Sequence, residues 1–236
     1  MKILVTGDKG YIGTALCKKL TKLKYNLIGL DINLYPDYVK TKRSYKRIKK
    51  DLRDISPKEL KKINCIIHLA AISNDPLGEL SENITYDINY KATVKLAELS
   101  KKAGVDTFIY ISTQSVYGIS NDITKEIKEN TKNIRPLTAY AKSKYKAEKK
   151  LIQLSDKKFK LIVFRPATVF GESSNFRSDI VLNNLLGNAY LTNSINIFSD
   201  GKPWRPILHI DDMVNIIISS IGKAKLLNKK IINLGY

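Results

Sequence analysis

Cysteine is almost absent. The 236 residues contain two, Cys17 and Cys65, each inside an apolar pattern and without metal-ligand spacing. A disulfide framework and a cysteine-held metal are therefore not expected, and both read as reduced core thiols. The chain opens Met-Lys and runs straight into a strand-like stretch, unlike a signal peptide. Both features point to the cytoplasm. No apolar run approaches the roughly 20 residues needed to cross a bilayer, so no membrane partner is expected. Internal repeats, low-complexity segments and Pro-, Gly- or Ser-rich linkers are also missing. The length suits one domain, or one with a small appendage.

Acidic residues are few: 22, against 41 basic ones, for a net charge of +19. Such a charge would suit a nucleic-acid partner. The basic residues are spread along the chain, however. The densest run, Lys40 to Lys50, ends strand-like at Tyr45 and Ile48, with no repeated aromatic stacking motif. A solvated basic surface that attracts phosphate-bearing substrates is the favoured reading, and a nucleic-acid partner is disfavoured. Hydrophobic residues make up 43% of the chain, which places it among globular rather than disordered proteins.

What the chain does have is concentrated at its start. Ile3, Leu4 and Val5 lead into Gly7, Gly10 and Gly13, and a helix-like pattern of Tyr11, Ile12, Leu16 and Leu20 follows. Strand, tight turn and helix N-terminus in that order form a site for a pyrophosphate. Glycine lets the backbone turn and come close, and the helix offers unpaired N–H groups and a positive dipole end. Asp31 closes the second strand about 20 residues later, as a dinucleotide fingerprint requires. Its carboxylate suits the ribose hydroxyls and would repel a 2′-phosphate, which favours NAD over NADP. Lys9 pulls the other way, toward a 2′-phosphate.

Further along, apolar strand patterns alternate with helical ones, the signature of a doubly wound, Rossmann-like α/β fold with a parallel sheet. Strands are expected at Asn26–Leu30, just before Asp51, at Cys65–Leu69, Thr107–Ile111 and Leu161–Phe164, and at Lys230–Leu234. Helices are expected over Tyr11–Leu23, from Pro57, over Ser81–Ala103 and over Thr138–Leu154. Past Gly171 the pattern loosens. A helix over Asp179–Tyr190, short strands at Ile195–Phe198 and Ile207–Ile210, and a helix from Asp211 are expected there. The division is a dinucleotide-binding domain over 1–170 and a small, incomplete substrate lobe over 171–236, interleaved with the end of the sheet.

The glycine spacing, Gly-x-x-Gly-x-x-Gly, resembles the short-chain dehydrogenase/reductase superfamily, in its extended branch of nucleotide-sugar epimerases and dehydratases. Five further stretches carry the resemblance: Asp51-Leu52, Leu69-Ala70-Ala71, Ser112-Thr113-Gln114-Ser115-Val116-Tyr117-Gly118, Tyr140-Ala-Lys-Ser-Lys144 and Arg165-Pro166-Ala-Thr168-Val-Phe-Gly171. The resemblance implies that Asp51 and Leu52 hold adenine and that Leu69, Ala70 and Ala71 border the pyrophosphate and ribose. Asn89 would support the site and Pro166 would border the nicotinamide. Thr168 and Thr113 would meet the substrate. Arg205, in Trp204-Arg205-Pro-Ile-Leu-His-Ile-Asp211, would bind the substrate's diphosphate, where a fork of donors suits phosphate oxygens. His68 reads as structural, and no metal is expected. The family usually continues beyond the last strand to complete the sugar-binding lobe.

Tyr140 and Lys144 stand four apart, on one helical face. A free phenol has a pKa near 10, and lowering it by about 3 units requires about 4 kcal/mol. One ammonium near 4 Å supplies about that at an effective dielectric of about 20. Lys144 is thus expected to tune Tyr140 and to hold the nicotinamide ribose. Tyr140 would take the hydroxyl proton as hydride leaves for NAD, with Thr113 on the same substrate oxygen. Sugar 4,6-dehydratases carry Asp-Glu where this chain has Gln114 and Ser115, so epimerisation of a nucleotide sugar is the expected activity. A keto-sugar-nucleotide reductase using NAD(P)H, and a non-catalytic dinucleotide- or RNA-binding protein of the same fold, are the alternatives. A homodimer is expected through the Ser81–Ala103 and Thr138–Leu154 helices, with Ile88, Leu96, Leu99, Tyr145 and Leu151 as surface candidates.

Overall fold

The computed structural model describes residues 1–34, 45–73, 75–119, 126–197, 200 and 206–235. Its first strands are β1 (Lys2–Thr6), β2 (Asn26–Asp31), β3 (Lys46–Lys49), β4 (Cys65–His68), β5 (Thr107–Ile111) and β6 (Lys160–Pro166). Then come β7 (Thr168–Phe170), β8 (Ile207–His209) and β9 (Lys230–Leu234). Seven of these form one parallel sheet in the order β3-β2-β1-β4-β5-β6-β9, while β7 and β8 pair with each other. The chain order reverses direction between β1 and β4. In an open parallel sheet, ligands bind beyond the strand C-termini at that switch point.

Alternation along the strands explains why both faces are covered. Ile3 and Val5 enter one apolar cluster with Leu16, Leu20, Met213 and Ile217, while Leu4 between them enters the other with Leu96, Phe108 and Leu151. Successive strand side chains point to opposite faces. Helix α1 (Tyr11–Lys22) covers the first face, and α2 (Pro57–Leu60) follows β3. Then come α3 (Asp75–Leu80), α4 (Glu82–Tyr86) and α5 (Thr93–Lys102). The later helices are α6 (Ala139–Leu154), α7 (Val181–Thr192) and α8 (Ile210–Ile221). Cys17 and Cys65 are buried and form no disulfide, as expected.

Most expected elements lie within a residue or two of their predicted ends. Four points differ, the first being that Thr168–Phe170 form a strand, β7, where no element was expected. The helix expected over Ser81–Ala103 is broken by a π-helical turn at Asp87–Ala92. Helix α3 precedes it, where no element was expected. Ile195–Ile197 form no strand, Ile195 and Ile197 are exposed, and no strand among the described residues pairs with them. Phe198 lies outside the described residues.

Candidate active site

The glycine loop follows β1 and faces the loop after β4. Gly7 has φ +75°, and a Cβ there would stand 2.7 Å from the Ala70 nitrogen. A Cβ on Gly13 would stand 2.0 Å from the Gly7 carbonyl oxygen. Only glycine permits both the turn and this approach of helix to loop. Gly10 is the N-cap of α1. The N–H groups of Tyr11 and Ile12 fall in the first helical turn, where no intrahelical acceptor exists. This cradle fits a dinucleotide pyrophosphate.

Asp31 ends β2 beside that cradle. Its carboxylate accepts from the backbone nitrogens of Lys9 (3.2 Å) and Asn33 (2.7 Å). Lys9, the one residue that pulled toward a 2′-phosphate, is buried in the loop. Asp51 caps a 3-10 turn, accepting from the Arg53 nitrogen at 2.8 Å and pairing with the Arg53 guanidinium at 2.7 Å. Leu52 is buried beside it. The Leu69 and Ala70 nitrogens donate to Thr6, at its carbonyl and its hydroxyl respectively. Ala71 continues that loop.

The π-helical turn places Asn89 inward. Its amide clamps the Ile72 peptide, accepting from the nitrogen at 2.9 Å and donating to the oxygen at 3.0 Å, and it also donates to Ser143 on α6. Such turns recur at functional sites because the extra residue re-aims a side chain. Asn89 thus holds the loop after β4 against α6. His68 is fully buried between the hydroxyls of Thr6 (2.7 Å) and Thr93 (2.8 Å). Burial, reinforced by Lys144, pushes its pKa down to about 3. It is a neutral structural side chain, as read from the sequence.

Thr113, Tyr140 and Lys144 come together beyond the C-termini of β4 and β5. Thr113 caps the 3-10 turn Gln114–Tyr117, accepting from the Ser115 nitrogen. Its hydroxyl lies on the side of the Tyr140 phenol and favours the ionised form. Tyr140 sits in the first turn of α6, whose N-cap Thr138 donates to Asp75 at 2.6 Å. Glu79 accepts from the Ala139 nitrogen, so α3 closes that helix end. Lys144, one turn further, is buried and donates to the Ile111 carbonyl at 2.8 Å, with its ammonium 5.1 Å from the centre of the Tyr110 ring.

The electrostatics differ from the expectation. Burial pushes the Tyr140 phenol up to about 12, against the opposing effects of Thr113 and Arg177. Lys144 is no source of the lowering here, because burial brings its own pKa down to about 7. A desolvated ammonium loses its proton before it can act as a full charge on a neighbour.

Arg177 was not singled out in the sequence. It donates to Ser73 at 3.3 Å, is paired with Asp179, and places its charge near both Tyr140 and Tyr11. The segment that carries it is sewn to the glycine loop. Tyr11 donates to the Gly171 carbonyl at 2.7 Å, and Ser173 donates to the Tyr11 carbonyl at 2.7 Å. An arginine in an irregular segment gives no periodic signal, and only these long-range contacts bring it to the site. Pro166 ends β6 opposite Leu234, and the half-buried Thr168 opens β7. Arg205 lies outside the described residues, as does Trp204. No cluster of metal-ligating side chains occurs among the described residues.

A family model described as NAD dependent epimerase/dehydratase matches residues 3–235. The chain is similar to an uncharacterized UDP-glucose epimerase, YtcB, of Bacillus subtilis (strain 168). Identity is 31% over 250 residues, covering 100% of this chain and 77% of that protein. It is also similar to dTDP-D-glucose 4,6-dehydratase of Homo sapiens, with 28% identity over 95% of this chain and 66% of that protein. Among solved structures it resembles UDP-glucuronic acid 4-epimerase from Bacillus cereus in complex with UDP-glucuronic acid and NAD. There the TM-score is 0.84 and identity 28%, covering 100% of this chain and 77% of that one.

Proposed function

The chain belongs to the NAD dependent epimerase/dehydratase family, and on that premise we propose that it is an NAD-dependent epimerase of a nucleotide sugar. The observation that carries this reading is that Lys144, one turn past Tyr140 on α6, reaches the Ile111 carbonyl two residues before Thr113, which brings the three side chains to one strand end near the glycine cradle. When bound, NAD supplies the acceptor and donor of hydride. Gly7, Gly10, Gly13, the first turn of α1 and Asp31 would hold it, with Lys144 at the nicotinamide ribose. Tyr140 takes the proton of the sugar hydroxyl during oxidation and returns it during reduction. Thr113 hydrogen-bonds the same oxygen and orients it. Arg177 adds positive charge where the phenolate forms.

Epimerisation is favoured over 4,6-dehydration by what surrounds Thr113. The Gln114 amide turns away and donates to the Leu234 carbonyl at 3.1 Å. The Ser115 hydroxyl accepts from Thr113 at 3.1 Å. Neither is a carboxylate, whereas eliminating water needs an acid and a base at hand.

The reading is tested with the purified chain, NAD, NADP and a panel of UDP-, GDP-, dTDP-, CDP- and ADP-sugars. NAD is expected to raise the melting temperature more than NADP. An epimerase leaves no lasting reduced-nicotinamide absorbance and no change in product mass. A reductase consumes added NADH or NADPH, and a dehydratase yields a product lighter by one water. If neither dinucleotide raises the melting temperature, the assignment is wrong.

A homodimer through α5 and α6 belongs to the same proposal, with a corrected surface. Leu96 and Leu151 are fully buried in the monomer's own core, and Leu99 packs against that core. Ile88 and Tyr145 remain partly exposed, so the contact would be narrower than the sequence suggested. Light scattering at micromolar concentration should give twice the chain mass, and one chain mass refutes the dimer.

A further inference from the structure

Helix α6 carries a third polar residue in register with Tyr140 and Lys144. Glu148 stands one more turn along and is fully buried. One carboxylate oxygen accepts from the Ser112 hydroxyl at 2.8 Å. Both oxygens accept from the Arg165 Nε, at 3.1 and 3.3 Å, and Nη2 of the same guanidinium donates as well. The remaining side of Arg165 donates to the Tyr117 hydroxyl at 2.8 Å, and the guanidinium lies over the Tyr117 ring. Tyr117 in turn donates to Asn233 at 2.7 Å. Asn233, on β9, donates from its side-chain amide to the Ile127 carbonyl, while its backbone nitrogen donates to Glu129 at 2.7 Å.

This chain of bonds touches every element that bears a candidate catalytic group. Ser112 precedes Thr113. Arg165 precedes Pro166. Tyr117 closes the turn that Thr113 caps, and Glu148 shares the helix of Tyr140 and Lys144. A buried ion pair is a poor way to stabilise a core, because desolvation offsets its attraction and well-packed apolar residues often do as well. Its advantage is direction. A guanidinium presents its donors in one fixed plane, so its partners are fixed in angle as well as distance.

We propose that Glu148 is a positioning residue: gripped by Arg165, it ties α6 to Ser112 and so sets where the Tyr140 hydroxyl meets Thr113. The inference rests on the proposed function for its catalytic meaning, but its geometry can be tested without turnover. Ser112→Ala and Tyr117→Phe cut the network at its two ends. Both leave the Glu148–Arg165 pair intact, so no unpaired charge is buried and the fold is kept.

The test uses the full chain with tyrosine isotope-labelled at the hydroxyl-bearing ring carbon, Tyr140 being assigned by its disappearance in Tyr140→Phe. In Ser112→Ala the Tyr140 resonance is expected to move, while the rise in melting temperature given by NAD stays that of the parent. With a sugar nucleotide that the parent turns over, kcat should fall roughly 10- to 100-fold at unchanged KM, the scale of a misplacement below 1 Å. Tyr117→Phe should act in the same direction and more weakly. A Tyr140 resonance unmoved in both folded variants overturns the proposal, as does a loss of activity that only tracks the folded fraction. A parent that oxidises no sugar nucleotide overturns the functional reading instead, and the resonance still decides the positioning.

Discussion

Tyr140→Phe is expected to lower turnover by about 10²–10⁴-fold, the usual contribution of a positioned general base, and to leave NAD affinity nearly unchanged. The phenol sits beside Thr113, which favours its ionised form, and is the group in this site suited to take a hydroxyl proton. Removing it deletes one oxygen and keeps the ring, so packing of α6 against α3 survives. Stability should change by only about 1 kcal/mol, the net worth of one ordinary hydrogen bond. The pH dependence carries more information. Burial holds the phenol near 12 in this structure, far above neutral pH. Turnover of the parent should therefore rise with pH until the phenolate forms, with the midpoint set by how far a bound nicotinamide and the Arg177 charge bring that value down. Arg177→Met should shift the midpoint upward, since it removes a charge that favours the phenolate. Parallel pH–rate profiles from rapid-mixing measurements on the parent and on Arg177→Met check this. Equal turnover in Tyr140→Phe and the parent would remove Tyr140 from the mechanism.

The sequence disclosed the parts of this molecule that rest on local pattern. Three glycines after an apolar triplet, and strands of the right length between helices, are legible because turn chemistry and the periods of strand and helix are local properties. The spacing of Tyr140 and Lys144 is local too. What stayed hidden depends on tertiary contact. The π-helical turn around Asn89 cannot be read from Asp87-Ile-Asn-Tyr-Lys-Ala92, because the clamp on Ile72 comes from a loop 17 residues away in sequence. The bond from Ser112 to Glu148 spans 36 residues, and the meeting of Tyr11 with Gly171 spans 160. Ile195-Asn-Ile197 has the alternation of a strand, but no strand among the described residues pairs with it, and pattern alone cannot supply one. The largest departure concerns charge. The spacing placed an ammonium next to a phenol and assumed that it would act at full strength. Folding buried that ammonium and changed its proton affinity, which no spacing encodes.

That burial makes Lys144 the site where function and stability oppose each other most strongly. Lys144→Met is expected to abolish turnover and weaken NAD binding, and also to raise the melting temperature at neutral pH. Lysine ordinarily holds its proton to a pKa of 10.5, and burial brings Lys144 down to about 7. One pKa unit corresponds to about 1.4 kcal/mol, so keeping this amine in the core at pH 7 costs on the order of 4 kcal/mol. The sign follows from proton counts. Between the two pKa values the unfolded chain carries the proton and the folded chain does not, so the parent gains stability as pH rises from about 7 toward 10.5. Methionine carries no proton and has no such dependence. Part of the gain is lost again, because the Ile111 carbonyl gives up its donor at about 1–3 kcal/mol. What remains is on the order of 1–3 kcal/mol at pH 7, or several degrees for a chain of this size. The advantage over the parent should shrink at pH 9, where the parent's amine is already neutral in the folded state. Differential scanning calorimetry of both proteins at pH 7 and pH 9 reads this directly. A variant that melts below the parent at pH 7, or above it by the same margin at both pH values, would show that Lys144 is not the strained amine its surroundings imply.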